Sequence, residues 1–247
     1  MCLLILGGTA DGRKLAQALH QQSIPVIYSV AGLVRLPNVD CPVISGGFTQ
    51  YGGLLPYIQS QKITAILDAT HPYAQKMSAT AVRVAKAQGI PCWRFHRKPW
   101  QPQAGDIWHN FTTWDEVLVA LKPKASVFLT AGQIPQTVVD ALAEHVGQRH
   151  ILRTAVKPTL NLPPSFTWIK AIGPFQFEDE LNTMQAYGID ALVCKNSGGD
   201  SIIEKLNVSR QLAIPVFMMT RPEIPKADKI LSTHNACYRY VVEQFTE

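Results

Sequence analysis

Leu3-Leu-Ile-Leu-Gly7-Gly8-Thr9-Ala10-Asp11-Gly12-Arg13 opens the chain with four apolar residues, a glycine-rich turn and the start of a helical pattern. An unbroken apolar run of this length describes a strand covered on both faces. The glycines let backbone N–H groups approach a ligand without a Cβ in the way, and the helix behind them adds the partial positive charge of its N-terminus. That combination suits a phosphate. The dinucleotide fingerprint is G-x-G-x-x-G. Here Gly7, Thr9 and Gly12 fill its three glycine places, so the middle glycine is missing and the Thr9 hydroxyl is the replacement contact. Gly7, Gly8, Thr9 and Ala10 are thus the expected phosphate-binding residues; the competing reading is a purely structural tight turn.

Outward from this turn the same plan recurs. Val26–Val30, Val43–Ser45, Ala65–Asp68 and Cys92–Phe95 read as further strands, with helical stretches after most of them. In the second half Val127–Thr130, Ile151–Val156, Ala191–Cys194 and Val216–Met219 read likewise. Alternation of this kind predicts parallel sheets with crossover helices. A faint internal repeat, with offsets near 124, aligns Ile63–Asp68 with Ile189–Cys194 and Gly89–Cys92 with Ala213–Val216. The expected organisation is α/β: two Rossmann-like halves with largely parallel sheets, at residues 1–122 (nucleotide-binding) and 123–247 (substrate), and the active-site cleft between them.

Ligands of open α/β sheets collect at the carboxyl ends of strands. Ser45-Gly46-Gly47-Phe48 is one such end, either a ligand contact or a plain turn. Asp68-Ala-Thr70-His71-Pro72-Tyr73 is more specific, since it packs an acid, a hydroxyl and an imidazole into one turn. Asp68 or Thr70 also suits a helix cap, and His71 suits either a structural histidine or a proton donor near neutral pH. Lys195-Asn196-Ser197-Gly198-Gly199 forms a nest of N–H donors beside a full positive charge, fit for a phosphate or a carboxylate. Lys205 and Arg221 either line the same site or sit at the surface. The second strand ends Tyr28-Ser29-Val30 without the carboxylate that usually binds an adenosine ribose. With Arg35 nearby, that absence leans toward a 2′-phosphate and hence NADPH, with NADH as the alternative.

Composition narrows the class. The 247 residues are 47% hydrophobic and 17% charged, an ordinary globular balance. No apolar run reaches the roughly 18 residues that span a bilayer, and Cys2–Leu6 lacks the basic leader of a signal peptide, so a cytoplasmic protein without a membrane partner is expected. The five cysteines are scattered, and no clustered ligand set suggests a metal. The net charge of +5 is dispersed rather than striped, which argues against nucleic acid and suits a polyanionic small molecule. No tyrosine has a lysine four residues on, so the catalytic pair of short-chain dehydrogenases is absent. A non-catalytic nucleotide-binding module is the other competing reading.

Taken together, Leu6–Thr9, Gly46–Phe48, Asp68-Ala-Thr-His-Pro-Tyr-Ala74, Gly173-Pro-Phe175, Lys195–Gly199 and Ile214-Pro-Val216 carry a resemblance over nearly the whole chain. The chain resembles the precorrin-6A reductase family, the cobalt-precorrin-6A enzymes included. It departs from the family pattern at Leu33 and Gln133, where an arginine and a basic residue are usual. The resemblance implies hydride transfer from a nicotinamide cofactor to a double bond of a tetrapyrrole polycarboxylate in cobalamin biosynthesis, with other enzymes of the corrin pathway as candidate partners. On this reading Ser29 and Arg35 lie toward the ribose, and Gly47, Asp68, Thr70 and His71 approach the nicotinamide, with His71 and Asp68 as catalytic candidates. Lys195, Asn196, Ser197, Gly198, Gly199 and Arg221 face the substrate carboxylates.

Overall fold

The computed structural model describes residues 1–32 and 37–246. Its strands are β1 (Leu3–Leu6), β2 (Val26–Val30), β3 (Val43–Ser45), β4 (Ala65–Asp68), β5 (Cys92–Phe95), β6 (Trp108–Phe111), β7 (Ser126–Leu129), β8 (Arg149–Thr154), β9 (Phe166–Lys170), β10 (Ala191–Lys195), β11 (Val216–Met219) and β12 (Lys229–Leu231). The helices among these residues are α1 (Ala10–Gln21), α2 (Leu54–Ser60), α3 (Gln75–Gln88), α4 (Trp114–Leu121), α5 (Gln136–Ala143), α6 (Phe177–Ala186), α7 (Glu204–Gln211) and α8 (His234–Thr246). None is long and apolar enough to cross a membrane.

The strands form two six-stranded sheets, ordered β12-β5-β4-β1-β2-β3 and β6-β11-β10-β7-β8-β9. Every pairing is parallel. Each sheet has the order of a dinucleotide-binding fold, and in each the order reverses beside a central strand, β1 or β7. The internal repeat is the trace of this: β4 and β10 hold equivalent places, as do β5 and β11.

Both central strands owe their position to side-chain alternation. Leu3 and Ile5 pack with Leu15, Ala16 and Leu19 of α1 and with Cys237 and Val241 of α8. Leu4 and Leu6 point the other way, onto Tyr57 and Ile58 of α2 and Ala81, Val84 and Ala85 of α3. Full burial of each such side chain stabilises by about 1.5–3 kcal/mol. In the second sheet Val127 and Leu129 meet Leu121 of α4 and Val138, Val139 and Leu142 of α5, while Phe128 meets Met184 of α6 and Leu206 and Val208 of α7.

The boundary expected at residue 122 lies elsewhere. The chain divides into one unit of Met1–Lys98 with Pro222–Glu247 and a second of Pro99–Arg221. The physical reason is strand pairing. β6 precedes residue 122 but bonds to β11, and β12 lies far beyond it but bonds to β5. Each sheet thus completes its sixth place with a strand from outside its own sequence half.

Candidate functional site

The order reversal of the first sheet is built from the turns after β1 and β4. Gly7 is needed there for close approach: a Cβ on it would lie 2.1 Å from the Tyr28 ring. Tyr28, on β2, is 1% exposed, and its hydroxyl accepts the Gly8 N–H at 3.1 Å. Burial pushes the phenol pKa up, which keeps the hydroxyl neutral. Gly8 has a φ of +103°, and a Cβ built on it would meet nothing within 4 Å. The turn therefore presents an open, exposed face in a backbone conformation that favours glycine. Gly12 lets α1 approach the β4 turn, 3.2 Å from the Ala69 carbonyl oxygen to its would-be Cβ.

The Thr9 hydroxyl, expected on the phosphate, has other work. It accepts from the Gly12 N–H and donates to the Ala69 carbonyl, both at 3.0 Å, so it caps α1 and ties the two turns together. What the turn offers an anion is backbone: the first N–H groups of α1, at Ala10 and Asp11, which have no partner within a helix. The Asp11 carboxylate beside them is paired with Arg97 at 2.8 Å. Ser29 is buried on β2, and its carbonyl accepts from the Gly7 N–H. Gly47 is half-buried, with open space where a Cβ would stand. Arg35 lies outside the described residues.

Asp68, expected as catalytic, is 1% exposed. One carboxylate oxygen receives Arg94 Nε at 2.8 Å, and the other receives the Thr70 hydroxyl at 2.6 Å and the Thr70 N–H at 3.2 Å. Arg94 goes on to the Pro225 carbonyl at 2.7 Å. Both carboxylate oxygens are thus engaged inside the protein, and Asp68 shapes the turn that carries Thr70 and His71. His71 is half-buried and its Nδ1 accepts from the Tyr73 N–H at 3.3 Å. In the neutral ring the proton then resides on Nε2.

The second sheet's order reversal has a different make-up. Thr130, just after β7, bonds by its hydroxyl to the Val193 carbonyl of β10 and receives Lys205 Nζ at 3.2 Å. Lys205 is 2% exposed, and burial pushes its ammonium pKa down; the sequence had allowed it a surface place. Lys195 at the end of β10 is half-buried and shifted the same way for the same reason. Ser197 is 1% exposed, and its hydroxyl has no hydrogen-bond partner among the described residues. Gly198 has a φ of +67° and Gly199 is buried. A single 3-10 turn, Asp200–Ile202, separates them from α7, so this nest is not itself the start of an α-helix.

Asn196, expected on the substrate, serves the scaffold. Its amide accepts from the Trp100 N–H at 2.8 Å and donates to the Trp100 carbonyl at 3.1 Å. Its backbone carbonyl receives Arg221 Nε at 2.7 Å. Sequence reading missed Tyr28 and Arg94. An aromatic one strand away from a glycine was the available signal for the first. The second had none beyond lying at a strand end.

A family model described as Precorrin-6x reductase CbiJ/CobK matches residues 2–241. A precorrin-6A reductase from Rhodococcus erythropolis is 37% identical over 91% of this chain and 91% of its own length. One from Rhodobacter capsulatus is 34% identical over 92% and 90%. A solved structure described as CobK precorrin-6A reductase superposes with a TM-score of 0.87 at 31% identity, covering 98% of this chain and 97% of its own.

Proposed function

The chain belongs to the precorrin-6x reductase family of oxidoreductases, and on that footing we propose that it reduces one carbon–carbon double bond of precorrin-6A with NADPH in cobalamin biosynthesis. The observation that carries this reading is the exposed Gly8 turn at the order reversal of the first sheet, where a Cβ would meet nothing. That open face, with the first N–H groups of α1 behind it, fits the phosphates of a dinucleotide. The Arg97–Asp11 pair lowers the repulsion that a bare carboxylate would exert there.

The reduced nicotinamide, when bound, supplies the hydride for one carbon of the double bond, and a proton completes its neighbour. Ser29 and the missing acid at the end of β2 support NADPH over NADH. His71 is the proton donor of this account, through Nε2–H, and Asp68 and Thr70 hold its turn in place. The cations of the second unit, Lys195 and Arg221, with the donors of Ser197, Gly198 and Gly199, take substrate carboxylates. Precorrin-6A is the substrate in the names of both relatives above, which favours the metal-free form over cobalt-precorrin-6A. A cytoplasmic place, and hand-over to other enzymes of the same pathway, fit a soluble small-molecule substrate.

The test is incubation of the purified protein with precorrin-6A and either reduced nicotinamide. The expected product is heavier by two hydrogen atoms and forms faster with NADPH. No product with either cofactor, from the metal-free or the cobalt form, would sink the activity. Faster turnover with NADH would overturn the cofactor assignment alone.

A further inference from the structure

The Gly173-Pro-Phe175 loop lies between β9 and α6 of the second unit and backs onto the turn that carries Ser197, Gly198 and Gly199. The Phe175 N–H donates to the Ser201 carbonyl at 3.0 Å. A Cβ on Gly173 would stand 3.2 Å from that same carbonyl oxygen and 3.2 Å from Ile202 Cγ2, so glycine is what permits the approach. Ser201 and Ile202 belong to the 3-10 turn that starts directly after Gly199, and the Ile202 N–H returns to the Gly199 carbonyl at 3.4 Å. Loop and nest are thus joined through one short turn.

A buried ion pair holds the loop from its other side. Arg153, near the carboxyl end of β8, is 8% exposed, and Glu180 of α6 is 0% exposed. Arg153 Nη1 and Nη2 donate to the two Glu180 carboxylate oxygens at 3.0 and 2.7 Å. The guanidinium carbon lies 4.0 Å from the centre of the Phe175 ring and 4.7 Å from that of Phe128 on β7. A two-bond fork fixes the guanidinium plane, and a cation over an aromatic face attracts it, more strongly where water is excluded. Stability alone is a poor reason for such a pair. Taking two charges out of water offsets most of their attraction, and well-packed apolar side chains often serve as well or better. Its place is the better reason: it stands at the carboxyl end of the second sheet, where ligands of such sheets collect, and one of its two rings belongs to the loop behind the nest.

We propose that Arg153 is a positioning residue for substrate binding: locked by Glu180, it clamps Phe175 and through Ser201 fixes the Ser197–Gly199 donors before a substrate carboxylate arrives. The proposal rests on the substrate reading given above and adds what sets the geometry of that site. Arg153 itself touches no substrate in this account.

The experiment replaces the pair by apolar side chains of similar length, Arg153→Met with Glu180→Leu, in the intact protein. Thermal melting is expected at or above the wild-type temperature. KM for precorrin-6A should rise about ten- to a hundredfold, the effect of losing one well-placed hydrogen bond to a charged group, with kcat and the KM for NADPH unchanged. Hydrogen exchange of the residue-175 amide, which reports the bond to Ser201 directly, should quicken about tenfold. Phe175→Ala leaves the ion pair in place and releases only the loop. It should raise the same KM about three- to tenfold, the worth of one cation–π contact, and it decides the matter if the double variant does not fold. Wild-type KM or wild-type exchange in the folded variants overturns the proposal, as does a loss confined to kcat. A wild type inactive with precorrin-6A would remove the substrate reading, and quickened exchange in the variants would still uphold the clamp.

Discussion

The two sheets share one strand order and differ in what they place where it reverses. In the first, the turn after β1 is backbone: Gly8 stands open, and the nearby side chains of Thr9, Tyr28 and Asp68 are all turned inward. In the second, cations stand beside the turns after β7 and β10: Lys205 of α7 is buried against Thr130, and Lys195 is half-buried at the end of β10. Even the arginine two residues past the fifth strand diverges. Arg97 neutralises Asp11 on α1, whereas Arg221 braces the Asn196 carbonyl. On the proposed function, one scaffold therefore offers two kinds of anion site. The backbone site suits phosphates that must approach closely, and the side-chain site suits carboxylates on flexible arms.

The largest expected effect breaks the first sheet's reversal from beneath. Asp68→Ala leaves Arg94 buried without its carboxylate, and should cost about 3–5 kcal/mol of stability in denaturant unfolding. Loss of turnover with unchanged stability would instead return Asp68 to catalysis. The next effect is confined to the second sheet. By register, His150 of β8 stands beside Val127 as Val26 of β2 stands beside Leu3. His150 is fully buried, its Nε2 meets the Gln148 side-chain oxygen at 2.7 Å, and its Nδ1 has no partner among the described residues. Burial lowers its pKa from 6.5 to about 4. The unfolded chain then binds the proton more readily than the folded one between those values. Stability is complete above about pH 6.5 and falls as pH drops toward 4, by on the order of 3 kcal/mol. Hydrogen exchange should show the second unit opening first in acid, and His150→Gln should flatten that dependence.

Gly7→Ala should destabilise by about 2–3 kcal/mol, because the new methyl collides with the Tyr28 ring. In a Tyr28→Ala background the same change should cost much less, and equal costs in the two backgrounds would deny the contact. The smallest effect on stability is expected for Lys205→Met. Exchanging a buried cation for an apolar side chain of similar length should leave the melting temperature unchanged or raised, while affinity for a polycarboxylate tetrapyrrole falls. A large loss of stability would make Lys205 part of the scaffold rather than of the anion site.

The central strands were legible in the sequence because burial on both faces forces an unbroken apolar run, as in Leu3–Leu6 and Ala191–Cys194. The strands that sequence reading missed, β6, β9 and β12, are all sheet edges. Trp108-His-Asn-Phe and Lys229-Ile-Leu expose most of their residues, so nothing forces an apolar run there. The exchange of sixth strands was hidden for the same reason, and with it the true division of the chain. The turns rich in glycine and polar residues were legible as well, and they follow β1, β3, β4 and β10. Which side chains face inward was not, because Thr9, Asp68 and Asn196 each find partners distant in sequence, at Ala69, Arg94 and Trp100.

The measurement closest to the central claim follows the hydride itself. The protein is given precorrin-6A and NADPH carrying deuterium at the transferring position of nicotinamide C4. The account predicts one deuterium in the reduced macrocycle for each NADPH consumed, and loss of that transfer in Gly8→Asp, which places a charged side chain over the open turn. NADPH oxidation that leaves the macrocycle unlabelled, or full transfer by a folded Gly8→Asp variant, would contradict it.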